Sequence, residues 1–180
     1  YLNPGGLLYI HVPDIEKTPY YSIMGDQKYL FTRDSLSAIF HPGFDIESQY
    51  NSWFPREVVL IGRRRAQKEI GHFRSNRYFE KSIDRLREYR ILMLEKIWST
   101  KLCIFGTTVA AAFAHEILGT FASYFVDESS EKYESGFRGL EVRHPASVGV
   151  CEEVLVPPGP WAPALTKKLT DVYGLRVLEI

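Results

Sequence analysis

The chain has 180 residues, with 22 Lys and Arg against 22 Asp and Glu, so its formal net charge is zero. Hydrophobic residues at 45% and charged residues at 24% are ordinary globular values, which exclude a disordered, collagenous or rod-like chain. The neutral balance excludes a uniformly basic nucleic-acid-binding surface, and Cys103 and Cys151 are too few for a disulfide framework or a CxxC grip on zinc.

Split by charge, the chain falls into three blocks. Residues 1–62 carry net −3, residues 63–101 net +7 and residues 102–180 net −4. In the first block, the turn Asn3-Pro4-Gly5-Gly6 leads into a mostly apolar run at 7–12, the pattern of a buried strand, which Pro13 stops. Thr32 is the expected N-cap of a helix through Ser35, Leu36, Ile39 and Phe40, ended by His41-Pro42-Gly43. Residues 44–48 and 57–62 read as two further strands, an antiparallel pair closing a sheet edge.

The middle block reads as one long helix, with Phe79, Ile83, Leu86, Met93 and Ile97 on one face and Arg90 filling the missing step. Ser75 or Asn76 is its expected cap. Its charges suit either a solvated connecting helix or a basic surface for a phosphate-bearing ligand or for the acidic flanking blocks.

In the third block strand and helix alternate. Strands are expected at 101–105, 121–126, 154–156 and 175–178, with a short extended piece at 138–142 and helices at 109–118 and 161–173. Such alternation predicts a parallel sheet with helices on its faces. Expected bounds are therefore 1–66 for a first α/β portion, 67–99 for a linker helix and 100–180 for a small Rossmann-like α/β domain.

Two stretches carry candidate chemistry. The turn Gly106-Thr107-Thr108 lies between a strand and a helix, where backbone N–H groups can meet phosphate oxygens. Asp127 follows 21 residues later, where a ribose-binding carboxylate would sit. Thr108 and Ala111 occupy the second and third glycine positions of a dinucleotide fingerprint. A purely structural turn, a site for a smaller phosphate or sugar group, and a dinucleotide site all remain open. The second stretch, 18–32, follows the first strand and holds Tyr20, Tyr21, Asp26 and Lys28. Its aromatics either line a substrate pocket, with Asp26 or Lys28 moving a proton, or merely cover the sheet. His115-Glu116 lacks the second His of a zinc protease helix, so no metal site is expected. No Gly-x-Ser-x-Gly is present.

The segment Leu2-Asn3-Pro4-Gly5-Gly6-Leu7-Leu8-Tyr9-Ile10-His11-Val12-Pro13-Asp14 resembles the turn and fifth strand of class I S-adenosylmethionine-dependent methyltransferases. Thr32, Ser35 and Leu36 resemble the helix start that follows, Gly43-Phe44-Asp45-Ile46 the sixth strand, and residues 57–62 the seventh. Ile104-Phe105-Gly106, Phe125-Val126-Asp127-Glu128, Gly139-Leu140-Glu141-Val142 and His144-Pro145 resemble the small Rossmann-like domain appended to sugar C-methyltransferases.

The resemblance implies a fold made of a partial methyltransferase sheet (strands five to seven), a linker helix and a small α/β domain. It implies a small-molecule acceptor such as a nucleotide-sugar, contacted at Tyr20, Tyr21, Asp26, Lys28, Gly106, Thr107, Thr108, Asp127 and Trp161. S-adenosylmethionine is implied for a full-length protein. None is expected for this chain alone, which lacks the family's glycine-rich first loop and is expected to be inactive by itself. The family's Glu-His pair is replaced by Asp26-Gln27, and Gln cannot act as a general base. The chain begins with Tyr, and the resemblance leads us to expect a piece of something longer, with one edge of the 7–12 strand left without its partner. A homodimer would cover that edge. A cytoplasmic protein without nucleic-acid or membrane partners is expected. A non-catalytic sugar-phosphate-binding or dimerisation module is the alternative function.

Overall fold

The computed structural model describes residues 2–49, 54–66, 78–97, 102–149, 152–178 and 180. The fold is mixed α/β and divides into two compact units, residues 1–85 and 86–180. The boundary falls inside one helix.

In the first unit, β1 (Leu7–Pro13), β2 (Phe44–Gln49) and β3 (Glu57–Arg64) form an antiparallel sheet in the order β1-β3-β2. The antiparallel closure by β2 and β3 follows the sequence reading, with both strands running further than expected. Helix α1 (Arg33–Phe40) begins at Thr32 with a reciprocal capping box: the Thr32 hydroxyl accepts from the Ser35 N–H, and the Ser35 hydroxyl accepts from the Thr32 N–H. Leu36 of α1 packs with Val58 and Leu60, and Ile10, Val12, Phe40 and Ile46 close around them. Among the described residues, α1 covers one face of the sheet in this way. On the other face Leu7 is 59% and Tyr9 60% exposed.

Helix α2 (Tyr78–Glu95) crosses the unit boundary. The proposed caps Ser75 and Asn76 lie outside the described residues. Its buried positions are Ser82, Leu86 and Met93, with Tyr89 and Ile97 partly buried against the second core. The inward face therefore differs from the expected one: Tyr89 fills the missing step, Arg90 points to solvent, and Phe79 is exposed. Tyr and Arg are adjacent, and an aromatic ring gains from burial where a guanidinium loses. No helix among the described residues is long and apolar enough to cross a membrane.

The second unit contains β4 (Leu102–Phe105), α3 (Val109–Leu118), β5 (Ala122–Val126), β6 (Val142–Arg143), β7 (Glu153–Leu155), α4 (Ala162–Tyr173) and β8 (Arg176–Leu178). All four strand pairings are parallel, in the order β6-β5-β4-β7-β8, a Rossmann-like α/β arrangement. Alternation along the strands sorts the core into two layers. Leu102, Ile104 and Phe125 pack with Ala111, Ala114 and Leu118 of α3. Cys103, Tyr124, Val126 and Val154 pack with Leu169 of α4 and with Leu175. The two-sided burial explains the near-continuous apolar strands.

The extended piece expected at 138–142 shrinks to the two residues of β6. Gly136, Arg138 and Gly139 all have positive φ, at 69°, 50° and 81°, and a tight turn bridged by Phe137 and Leu140 precedes the strand. The two glycines bracketing Phe137-Arg138 favour that turn over extension.

Candidate ligand site at the carboxyl edge of the five-stranded sheet

The chain winds from β4 outward through β5 to β6, then returns to place β7 on the other side of β4. The winding therefore reverses at β4, and in open parallel sheets ligands gather at the carboxyl edge beside such a reversal. Four of the predicted residues, Gly106, Thr107, Thr108 and Asp127, follow the carboxyl ends of β4 and β5. Trp161 follows that of β7.

Gly106 has φ +90°, and no atom lies within 4 Å of where a Cβ would stand. Space is open there, so it is the backbone angle that calls for glycine. Its N–H donates to the Val126 carbonyl at 2.7 Å, fixing the turn against β5. Thr108 is the N-cap of α3, but its hydroxyl does not cap the helix, and the first turn carries no acidic residue. Neither the Thr108 hydroxyl nor an acidic side chain of the first turn thus offsets the positive end of α3. Helix α1 differs, since its Thr32 hydroxyl accepts the Ser35 N–H.

Thr107 does not face outward as a free hydroxyl. It donates to Asp127 Oδ2 at 2.8 Å, while Asp127 Oδ1 accepts the Ser129 N–H at 2.9 Å. Asp127 thus ties the β4 and β5 loops together and still has acceptor capacity, because each carboxylate oxygen takes more than one hydrogen bond. The Tyr133 hydroxyl donates to the Asp127 carbonyl at 2.8 Å. After β7, Pro157-Pro158-Gly159-Pro160 turns the chain into α4. The Trp161 ring lies against Gly159 so closely that a Cβ there would come within 2.6 Å of it. The ring is half-buried.

Sequence reading missed a second cluster on the same edge. Glu128 accepts from Lys168 Nζ at 2.6 Å and from the Tyr173 hydroxyl at 2.7 Å, anchoring the β5 loop to α4. These bonds hold the Glu128 carboxyl below its ordinary value of 4.5. The His144 ring meets Tyr173 edge-on at 5.7 Å, and its Nδ1 accepts the Ala146 N–H at 3.1 Å. That bond leaves the proton of the neutral imidazole on Nε2. The adjacent acids Asp127-Glu128 at a strand end were the available signal, but their partners lie 40 and 45 residues away.

A polar row also crosses the sheet. Arg143 lies 4.1 Å over the Tyr124 ring, the Tyr124 hydroxyl donates to Glu152 at 2.5 Å, and Cys103 donates to the Glu153 carbonyl at 3.4 Å. Burial pushes the Cys103 thiol up to about 12, which makes it a poor nucleophile. Cys151 lies outside the described residues.

The other predicted residues belong to the first unit. Tyr20 is fully buried and serves the core, Tyr21 is half-buried, and Asp26 and Lys28 are exposed. These four do not present one common surface. Among the described residues, no group of three or more His, Cys, Asp or Glu is placed to hold a metal ion.

The Glu128 bonds make a pH prediction. Because its folded value is depressed, their stabilisation is present above 4.5 and is lost as pH falls through the folded value. Urea unfolding at pH 7 and pH 3 should show a smaller acid-induced loss in Glu128→Gln than in the parent chain. An equal loss in both would remove Glu128 from the account.

No protein-family model and no curated protein matches the chain.

Proposed function

We propose that this chain is the acceptor-holding part of an S-adenosylmethionine-dependent methyltransferase, and that its five-stranded unit holds a nucleotide-sugar or a similar phosphate-bearing small molecule. The observation that supports the reading is the order β6-β5-β4-β7-β8, in which Gly106, Thr107, Thr108 and Asp127 follow the carboxyl ends of β4 and β5 and Trp161 follows that of β7. The uncapped start of α3 suits phosphate oxygens. Asp127 suits a sugar hydroxyl, and the exposed part of Trp161 suits a flat ring or a sugar face.

The sequence resemblance to sugar C-methyltransferases supports the methyltransferase assignment, and the antiparallel closure of β1, β3 and β2 agrees with the expected end of that fold. Our reading assigns no methyl-donor site to the described residues of 1–85. There β1 runs into a loop and a 3-10 turn at Pro19–Ile23, and the capping box of α1 takes the Ser35 N–H. The work assigned to this chain is to bind and orient the acceptor. The buried free thiol of Cys103 fits a reducing, cytoplasmic setting.

A second reading, a dimerisation module, is favoured by one specific observation. Asp14 N–H bonds the Arg56 carbonyl and Arg64 N–H the Gly6 carbonyl, which assigns the even-numbered residues of β1 to β3. The backbone groups of Leu7, Tyr9 and His11 then face an outer edge with no strand beyond it among the described residues. Such an edge is a template for pairing with another chain. Sedimentation should give a dimer that Tyr9→Lys converts to monomer, and a monomeric parent chain would sink this reading.

For the leading reading, isothermal calorimetry with thymidine diphosphate-glucose or uridine diphosphate-glucose should show saturable binding. Thr107→Val, which cuts the tie to Asp127, should weaken it by about tenfold, equivalent to one lost hydrogen bond of about 1.4 kcal/mol. Absence of heat with either compound at millimolar concentration would contradict the proposal.

A further inference from the structure

The chain leaves β6 through a short 3-10 turn at Pro145–Ser147, and a histidine holds the start of that turn. His144 is the N-cap residue, and its Nδ1 accepts the Ala146 N–H at 3.1 Å. The usual caps are side-chain oxygens, which accept an N–H on either side of neutral pH. A histidine cap is conditional. Nδ1 accepts only in the neutral imidazole, and both ring nitrogens are donors once the ring is charged. Histidine is the side chain that changes charge between about pH 5 and 8.

The ring also meets α4. It packs edge-on against Tyr173 at 5.7 Å. The Tyr173 hydroxyl donates to Glu128 Oε1 at 2.7 Å, and Lys168 Nζ donates to Oε2 at 2.6 Å. A carboxylate takes about four hydrogen bonds, so Glu128 has room for a third donor. The charge of His144 is also felt at Glu128. The other ionisable groups nearby have different ties. Asp127 holds Thr107 and Ser129, Tyr133 bonds the Asp127 carbonyl, and Arg143 lies over the Tyr124 ring and bonds Glu141.

The turn has further bonds that do not involve the ring. The N–H and Oγ of Ser147 both donate to the His144 carbonyl, at 2.9 and 2.7 Å, and the Val148 N–H donates to the Pro145 carbonyl at 3.2 Å. Loss of the cap therefore frees one ring and one N–H without unfolding the turn. Ala146 is exposed, so water can take that N–H.

We propose that His144 is a proton-operated switch. Neutral, it caps the turn after β6 through Nδ1. Charged, it releases the Ala146 N–H and donates to Glu128, the carboxylate that ties the β5 loop to α4. Acid thus moves one side chain from its own turn to the joint between β5 and α4. The switch needs no ligand and is independent of the proposed function.

The test follows the full chain by NMR from pH 8 to pH 5, the range in which histidine titrates. Imidazole nitrogen shifts at the alkaline end should show the proton of His144 on Nε2. Exchange protection of the Ala146 amide, corrected for the intrinsic rate at each pH, should fall about tenfold as the ring titrates, the size of one net hydrogen bond. His144→Asn, whose amide oxygen accepts at every pH, should keep that protection constant. Glu128→Gln keeps an acceptor oxygen but removes the charge, and should lower the midpoint of the ring's titration. The parent chain and Glu128→Gln decide the matter if His144→Asn does not fold. A proton on Nδ1 in the neutral ring, Ala146 protection that does not follow the ring, or an unchanged midpoint in Glu128→Gln would overturn the proposal.

Discussion

The reversal of winding at β4 is the constraint on which the second unit depends. Parallel strands require a crossover between each pair, and crossovers share one hand. A chain that builds β5 and β6 on one side of β4 and β7 and β8 on the other must send its crossovers to opposite faces. That brings α3 and α4 onto opposite faces of the sheet, where each buries its own apolar layer. The same reversal that gives two-sided burial also sets the carboxyl edge to which we assign the ligand.

The polar groups on that edge divide the labour. Thr107 with Asp127, and Glu128 with Lys168 and Tyr173, tie neighbouring loops together and fix their spacing. We assign the backbone N–H groups of the α3 start to a ligand. This resembles a frame around an opening more than a set of reactive groups.

How far the sequence foretold this depends on the range of each interaction. Strand and helix positions in the second unit were legible because burial on both faces writes long apolar runs bounded by Gly and Pro. The Thr32 cap was legible because a capping box is a four-residue pattern. The inward face of α2 was misassigned at one step, since Tyr89 and Arg90 are adjacent and only tertiary packing selects between them. The turn before β6 was signalled by Gly136 and Gly139, but it was outweighed by the extended reading of Leu140 to Val142. The Glu128 tie and the row from Arg143 through Tyr124 to Glu152 were illegible, because their members come from separate strands. Tyr20 looked like a ligand contact by composition, and its burial in the core is a property of the folded loop alone.

The central claim is that the carboxyl edge between β4 and β7 is where this chain meets its ligand. Amide chemical shifts of the chain, recorded while a nucleoside diphosphate-sugar is added, test it residue by residue. The account predicts saturable shifts at Gly106, Thr107, Val109 and Asp127 and at the Trp161 indole, with the three-stranded sheet unchanged. Shifts confined to residues 1–66, or no shifts at saturating concentration, would contradict it.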